Sequence, residues 1–274
     1  MPELPEVEQV VQDIRPHLVG QTIKDVDIFL ERLIKTSSGQ EFARILENRR
    51  IDAVERRGKY ILIRLEEGWT LIVHLRMTGG LVWCSLGSED EKYERLRFCL
   101  ADGSILSYSD SRTLGTLHLL PDHALGEIKG LTTLGPEPLS EEFSKAYLKS
   151  SVTDKKGSIK GLLLDQAVIA GLGNIYVDES LFRSGIRPER TAGSLKKKEI
   201  DLLHQEIQAV IFEAIHQGGT TFRDYRNGRG EQGEYQQRLK VYGRTGKPCV
   251  ICGRDIQKSR VAGRGTHYCD HCQK

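Results

Sequence analysis

KYILIRLEEGWTLIVHLR, Lys59–Arg76, decides the fold of the first half of this chain. Two runs of branched and aromatic residues, KYILIRL and WTLIVHLR, are split by EEG, a turn signal. Neither run is long enough for a typical helix, and both are rich in residues that suit a pleated, half-buried surface. The same texture extends outward from about residue 22 to 120, through TIKDVDIFL, IDAVERR, RLRFCL and SILSYSD. ADGS supplies another turn. Many short strands without intervening helices predict an antiparallel sandwich or barrel.

Helical periodicity brackets this region. Leu4, Val7, Val11, Ile14 and Leu18 recur on one helical face behind Pro5, which suits a helix start. Glu6 and Glu8 would lie in the first turn, where the helix dipole favours acids. Pro2 and Glu3 precede that helix and are not explained by it. LGPEPLS at 134–140 reads as a linker, so a boundary is expected near 130–135. Beyond it, EEFSKAYLKS, KGSIKGLLLDQ and GNIYVDESLF are helix candidates. Ile200, Leu203, Ile207, Val210 and Ala214 mark a long amphipathic helix closed by glycines at 218–219. Residues 218–235 hold five glycines and little periodicity, and a loop of that length in a compact protein is usually functional or disordered.

The chain has 274 residues, 38% of them hydrophobic, and a net charge of +2, the balance of a globular protein. No apolar run reaches the ~18 residues of a membrane span. The N-terminus lacks a basic segment followed by an apolar stretch, so a cytosolic location is expected. Charge is unevenly placed. Residues 221–274 carry 12 Lys/Arg against 5 Asp/Glu, a net of +7, which leaves −5 on the remainder. A basic end on an acidic body is an electrostatic footprint of nucleic-acid binding, although a merely solvated basic end has the same signature.

Four of the six cysteines fall as Cys249-x2-Cys252 and Cys269-x2-Cys272, separated by sixteen residues. That spacing predicts a four-thiolate zinc site. Four thiolates fill the tetrahedral shell, so the metal would be structural. The tail is too short for its own core, and metal binding would supply much of its folding free energy. Cys84 and Cys99 lie in strand-like runs and read as ordinary thiols. Between the cysteine pairs, Lys258, Arg260 and Arg264 surround two glycines on a predicted hairpin suited to gripping phosphates. Upstream, Gly171 and Gly173 permit close backbone approach, and Asn174 is placed to cap the next helix. Such a helix start can bind a phosphate, and Lys155, Lys156 and Lys160 lie just before it.

MPELPEVE at the start, ERRGKY at 55–60, LLDQ…IAGLGNIYVDESLF at 163–182 and AGRGTHYC before the end occur together in this order. Over essentially its whole length the chain resembles the bacterial formamidopyrimidine-DNA glycosylases. The resemblance implies an α+β fold. Residues 1–132 would form an N-terminal antiparallel β-sandwich with a leading helix. Residues 133–238 would form a helix–two-turn–helix domain carrying a lesion-capping loop at 218–235, and 239–274 a four-cysteine zinc-finger hairpin. It also implies a monomer on damaged double-stranded DNA in the bacterial cytosol, with one structural zinc ion and no redox or nucleotide cofactor. The implied activity is excision of oxidised purines, chiefly 8-oxoguanine and formamidopyrimidines, followed by β,δ-elimination at the abasic sugar.

The resemblance explains the first residues. Removal of Met1 would leave Pro2 as a secondary amine, and an α-amino group titrates near ~8, against ~10.4 for lysine. Such an amine can attack the sugar carbon and form an iminium. By the same resemblance Glu3 is the general acid, Glu6 supports the site and Lys59 assists elimination. Asn174 and Arg264 clamp phosphates near the lesion, with Arg264 linked to the last elimination. Lys155, Lys160 and Tyr242 contact DNA. Met77 and Arg112 fill the gap left by the flipped base. The third gap-filling position is normally phenylalanine; here it is Leu114, a wedge without a flat stacking face. Where the family usually has His-x-His, this chain has Tyr93-Glu94-Arg95, and Tyr93 is the phosphate-binding candidate. Thr220, Thr221 and Tyr225 are the loop residues nearest in type to base contacts. Two alternatives stay open at this point: an endonuclease VIII-like enzyme for oxidised pyrimidines, and a non-catalytic DNA-binding relative. Leucine at position 4, where the pyrimidine branch usually has glycine, favours the purine branch.

Overall fold

The computed structural model describes residues 1–85, 87, 92–221, 227–231 and 233–274. The chain forms two compact units, Met1–Thr132 with Gln217–Glu234, and Thr133–His216 with Tyr235–Lys274.

In the first unit, α1 (Leu4–Leu18) precedes β1 (Ile23–Ile28), α2 (Gly39–Leu46) and β2 (Ile51–Arg57). Six more strands follow: β3 (Tyr60–Leu65), β4 (Trp69–His74), β5 (Gly79–Cys84), β6 (Glu94–Leu100), β7 (Ile105–Asp110) and β8 (Thr116–Pro121). Short α3 (Lys129–Thr132) ends the run. The strands pair antiparallel into two four-stranded sheets, ordered β1-β6-β7-β5 and β2-β3-β4-β8. Two open sheets make this a sandwich; the barrel alternative does not occur. The EEG turn is explained locally, since Glu67 and Gly68 both take left-handed backbone between β3 and β4. The apolar face of α1 closes the core. Leu4, Val7, Val11, Ile14 and Leu18 are all buried, and most of them pack in one cluster with Phe42, Leu46 and the inward residues of both sheets.

The second unit holds α4 (Lys145–Val152), α5 (Ile159–Leu164), α6 (Asn174–Arg183) and α7 (Lys197–His216), then the hairpin β9 (Gln257–Val261) and β10 (Arg264–Tyr268). Ser144 and Ser158 cap α4 and α5 by accepting the amides of Tyr147 and Gly161. The α6 helix is buried on all sides from Ile175 to Phe182, which makes it the central rod of this unit. Among the described residues, the apolar cluster at the hairpin end is small: Phe182, Val241, Cys249, Ile256 and Cys269, with Cys252 and Cys272 packed against it.

By contacts, residues 217–234 group with the sandwich, and 235–274 group with the helices. The reason lies on α1. Glu6 Oε1 accepts the Thr220 amide at 2.7 Å, and Asp13 Oδ2 accepts the Gly228 amide at 3.2 Å. The Gly228 carbonyl accepts the Trp83 amide of β5 at 3.0 Å. Among the described residues, no helix is long and apolar enough to cross a membrane.

Candidate functional site

Each unit builds its own site. In the sandwich, Pro2, Glu3 and Glu6 are buried at the head of α1, while Met1 is half exposed. Glu3 and Glu6 form a reciprocal capping box in which Glu6 Oε2 accepts the Glu3 amide at 2.8 Å. With its other oxygen on the Thr220 amide, Glu6 ties the first residues to the stem of the 217–234 segment. This works only because position 219 is glycine. Its φ is +75°, and a Cβ there would stand 2.9 Å from Glu6 Oε1. Glu6 therefore has a structural task well beyond its place near the helix dipole.

Lys59 follows Gly58 in the two-residue turn between β2 and β3 and is only 8% exposed. An ordinary hairpin lysine would reach solvent, so its burial marks it out. Nearby on β4, burial together with the Arg76 and Lys59 cations pushes the His74 imidazole down to about 3. A neutral His74 can accept, and its Nδ1 takes the Arg76 amide at 3.0 Å. That bond closes the turn that presents Met77.

Met77, Arg112 and Leu114 stand on two neighbouring loops and are exposed. Arg112 Nη1 lies 3.5 Å from Met77 Sδ. Asp110, fully buried at the end of β7, organises this group. Its Oδ1 accepts Thr78 Oγ1 and the Arg112 amide, at 2.5 and 3.1 Å. Its Oδ2 accepts the amides of Leu114 and Gly115, at 2.9 and 2.8 Å. Gly115 is required beside it, since a Cβ would collide with the buried Tyr108 hydroxyl. Asp110 was not singled out from sequence; the one signal was SDSRTLG, an aspartate before a turn. Tyr93 is exposed, with left-handed backbone and the Lys92 and Arg95 cations over its ring. Thr220 and Thr221 are buried in the loop stem, where Thr221 Oγ1 accepts the Gly233 amide at 3.0 Å. Tyr225 lies outside the described residues.

In the second unit the four cysteine sulfurs lie within 4.8 Å of one another. Sγ–Sγ separations are 3.9 Å for Cys249–Cys272 and 3.5 Å for Cys252–Cys269. A Zn–S bond of about 2.3 Å gives tetrahedral edges of about 3.8 Å, so the four residues fit a zinc ion that would hold both knuckles together. The Ile251 amide points at Cys249 Sγ, 3.5 Å away, and would stabilise a thiolate there. The remaining cysteines, Cys84 and Cys99, lie on β5 and β6 and form no disulfide.

Arg264 and Lys155 are exposed, and Tyr242 is half-buried edge-on to His267. The Tyr242 amide, with those of Lys240 and Val241, is held by the buried Glu179 carboxylate at 2.8 to 2.9 Å. Two expectations need correction. Gly173, not Asn174, is the cap of α6, because residue 173 keeps extended backbone while Asn174 is already helical. Asn174 instead sends Nδ2 to the Gly265 carbonyl at 2.9 Å. Lys160, expected on the DNA backbone, is fully buried and bonded to Asp178 at 2.6 Å. Its ammonium braces the protein interior.

An amine-bearing N-terminus braced by carboxylates on one unit, and a metal-built basic hairpin on the other, are the equipment of a zinc-finger protein that works on nucleic acid. Comparison with known proteins narrows that class. Residues 1–117 match the formamidopyrimidine-DNA glycosylase N-terminal domain, 134–226 the H2TH domain of the same enzymes, and 246–274 the zinc finger found in FPG and IleRS. The formamidopyrimidine-DNA glycosylase of Geobacillus kaustophilus is 48% identical, with 100% of each chain covered. The Lactococcus lactis Fpg (MutM), solved with an N7-benzyl-Fapy-dG containing DNA, is 37% identical with a TM-score of 0.92 over 100% of both chains. The MutM (FPG) protein from Thermus thermophilus is 40% identical with a TM-score of 0.89, covering 99% of this chain and 98% of that one. The chain belongs to the formamidopyrimidine-DNA glycosylase family, and is a DNA glycosylase and abasic-site lyase of that family.

Proposed function

We propose that this enzyme removes formamidopyrimidines and 8-oxoguanine from duplex DNA through an iminium on Pro2, then cuts the strand by β,δ-elimination. The observation that carries the proposal is the burial of two carboxylates, Glu3 at 3% and Glu6 at 1% exposure, directly behind a proline that becomes the N-terminal amine once Met1 is removed. Burying two acids beside a nucleophile is costly unless they have tasks. Glu6 fixes the first residues, and Glu3 stands next to the attacking nitrogen.

The Pro2 nitrogen bonds to the anomeric carbon as the glycosidic bond breaks, and the base leaves with that bonding pair and a proton. Glu3 delivers a proton to the sugar oxygen as the ring opens, which leaves the iminium. The iminium acidifies the adjacent sugar proton. Loss of that proton expels the 3′ phosphate, and a second elimination expels the 5′ phosphate. Lys59 assists from its buried turn. Met77, Arg112 and Leu114 enter the gap left by the flipped base, with Arg112 facing the orphaned partner. Asn174, Arg264, Lys155, Tyr242 and Tyr93 hold the backbone. The zinc ion supplies no chemistry; the hairpin it closes presents Arg264, which grips the phosphate and assists the last elimination. The enzyme works as a monomer, since neither proposed site draws on a second chain.

Membership of the family favours the purine branch over the oxidised-pyrimidine alternative. Base release from duplexes carrying formamidopyrimidine, 8-oxoguanine or dihydrothymine tests the reading. Release of the two purine lesions at least tenfold faster than dihydrothymine is expected; the reverse order would move the enzyme to the pyrimidine branch.

A further inference from the structure

Asp178 on α6 is fully buried and serves two elements at once. Oδ1 accepts the Lys160 ammonium at 2.6 Å, and Oδ2 accepts the His267 amide of β10 at 2.9 Å. Lys160 Nζ, also fully buried, donates in addition to the Gly265 carbonyl at 3.1 Å. Asn174 Nδ2 donates to that same carbonyl at 2.9 Å. The residue next to Arg264, and a second one two positions beyond it, are therefore gripped from α5 and α6. The hairpin tip is seated independently. Ala262 and Gly263 form its two-residue turn, both left-handed, with φ of 49° and 73°. Gly161 on α5 leaves room for that turn, since a Cβ on Gly161 would come within 3.2 Å of Ala262 Cβ.

A zinc knuckle alone does not fix the far end of a hairpin. Charged hydrogen bonds in a dry interior do, because they are short, directional and costly to misalign. We propose that the Lys160–Asp178 pair is a positioning device for Arg264, setting its guanidinium beside Asn174 and so controlling the phosphate grip and the final elimination. This rests on the proposed roles of Arg264 and Asn174.

Removing one partner would strand a buried charge, so the test removes both charges together. Lys160→Met with Asp178→Asn keeps the volume and an acceptor for the His267 amide, and uncharged replacements of buried pairs are often tolerated. Zinc content and thermal unfolding establish that the variant is folded. The expected result is a δ- to β-elimination product ratio lowered about tenfold, the scale of one charged hydrogen bond. The slope of log affinity against log salt should also fall by about one phosphate contact. A folded, zinc-loaded double variant with the wild-type ratio and slope would overturn the proposal. Should that variant not fold, Gly161→Ala decides. Its Cβ would press on Ala262 Cβ at 3.2 Å and Ser158 Oγ at 3.1 Å, shifting the hairpin tip by a few tenths of an ångström without touching a charge, and should lower the same ratio; an unchanged ratio would reject the device. Arg264→Gln separates the two layers: if it leaves the ratio intact, the role given to Arg264 fails, whatever the pair does.

Discussion

The sandwich and the zinc hairpin solve one problem by different means. Each must hold exposed side chains still enough to meet DNA. The sandwich has a core reaching from Val7 to Leu119, and spends single carboxylates on its loops: Asp110 for Arg112 and Leu114, Glu6 for the first residues and Thr220. The hairpin end has only a small apolar cluster among the described residues, Phe182, Val241, Cys249, Ile256 and Cys269, and depends on a metal at one end and on the buried Lys160–Asp178 pair beside β10. A large apolar core tolerates the loss of a polar brace; a segment without one does not.

Breaking the hairpin should give the largest effect. Cys249→Ser, or chelation of zinc, is expected to abolish DNA binding while the sandwich stays folded. Structural zinc contributes about 10 kcal/mol or more to small domains, far above the margin such a segment has. Near-wild-type affinity in a zinc-free protein would remove the distinction between the two regions. Next in size is Asp110→Ala, which removes the acceptor shared by four donors in the sandwich. A loss of about 3 kcal/mol in stability is expected, with slower base release on damaged duplex and intact zinc content. Unaltered base release would show that the gap-filling loops hold themselves.

A smaller effect sharpens the sandwich side. His74 is held neutral to about pH 3, while an unfolded histidine titrates near ~6.5. The unfolded state binds the extra proton between those values, so His74 adds stability near neutrality that is lost as pH falls through that window. His74→Gln should flatten the acid side of the stability curve from about pH 6.5 to 3, followed by chemical denaturation at several pH values. An identical slope would mean that His74 is not buried neutral. The smallest effect is expected from Leu114→Phe. A ring that can stack should speed lesion capture a few-fold and leave the elimination steps unchanged. Equal excision kinetics for both forms would show that a leucine wedge is sufficient.

Much of this architecture is legible in the sequence, for definable reasons. Short runs of branched and aromatic residues, turn residues and the face of α1 are local signals, and each appears where expected. The zinc ligands are legible because thiolate spacing is a property of two short knuckles. What escapes is long-range pairing of ordinary residues. In KKGSIK, Lys160 looks like one more basic side chain; its burial depends on Asp178, eighteen positions on. Residues 217–234 follow a helix of the second unit, yet bond to Glu6 and Asp13 more than two hundred residues earlier. Asp110 and His74 look like common strand-end polar residues until their backbone partners are seen.

The central claim is that the amine of Pro2 carries the chemistry. Borohydride reduction during reaction with an 8-oxoguanine duplex, followed by peptide mapping, tests it directly. A stable adduct on Pro2, present only in chains that have lost Met1, is the predicted result. An adduct on Lys59 or another lysine, or equal trapping by chains that retain Met1, would contradict it.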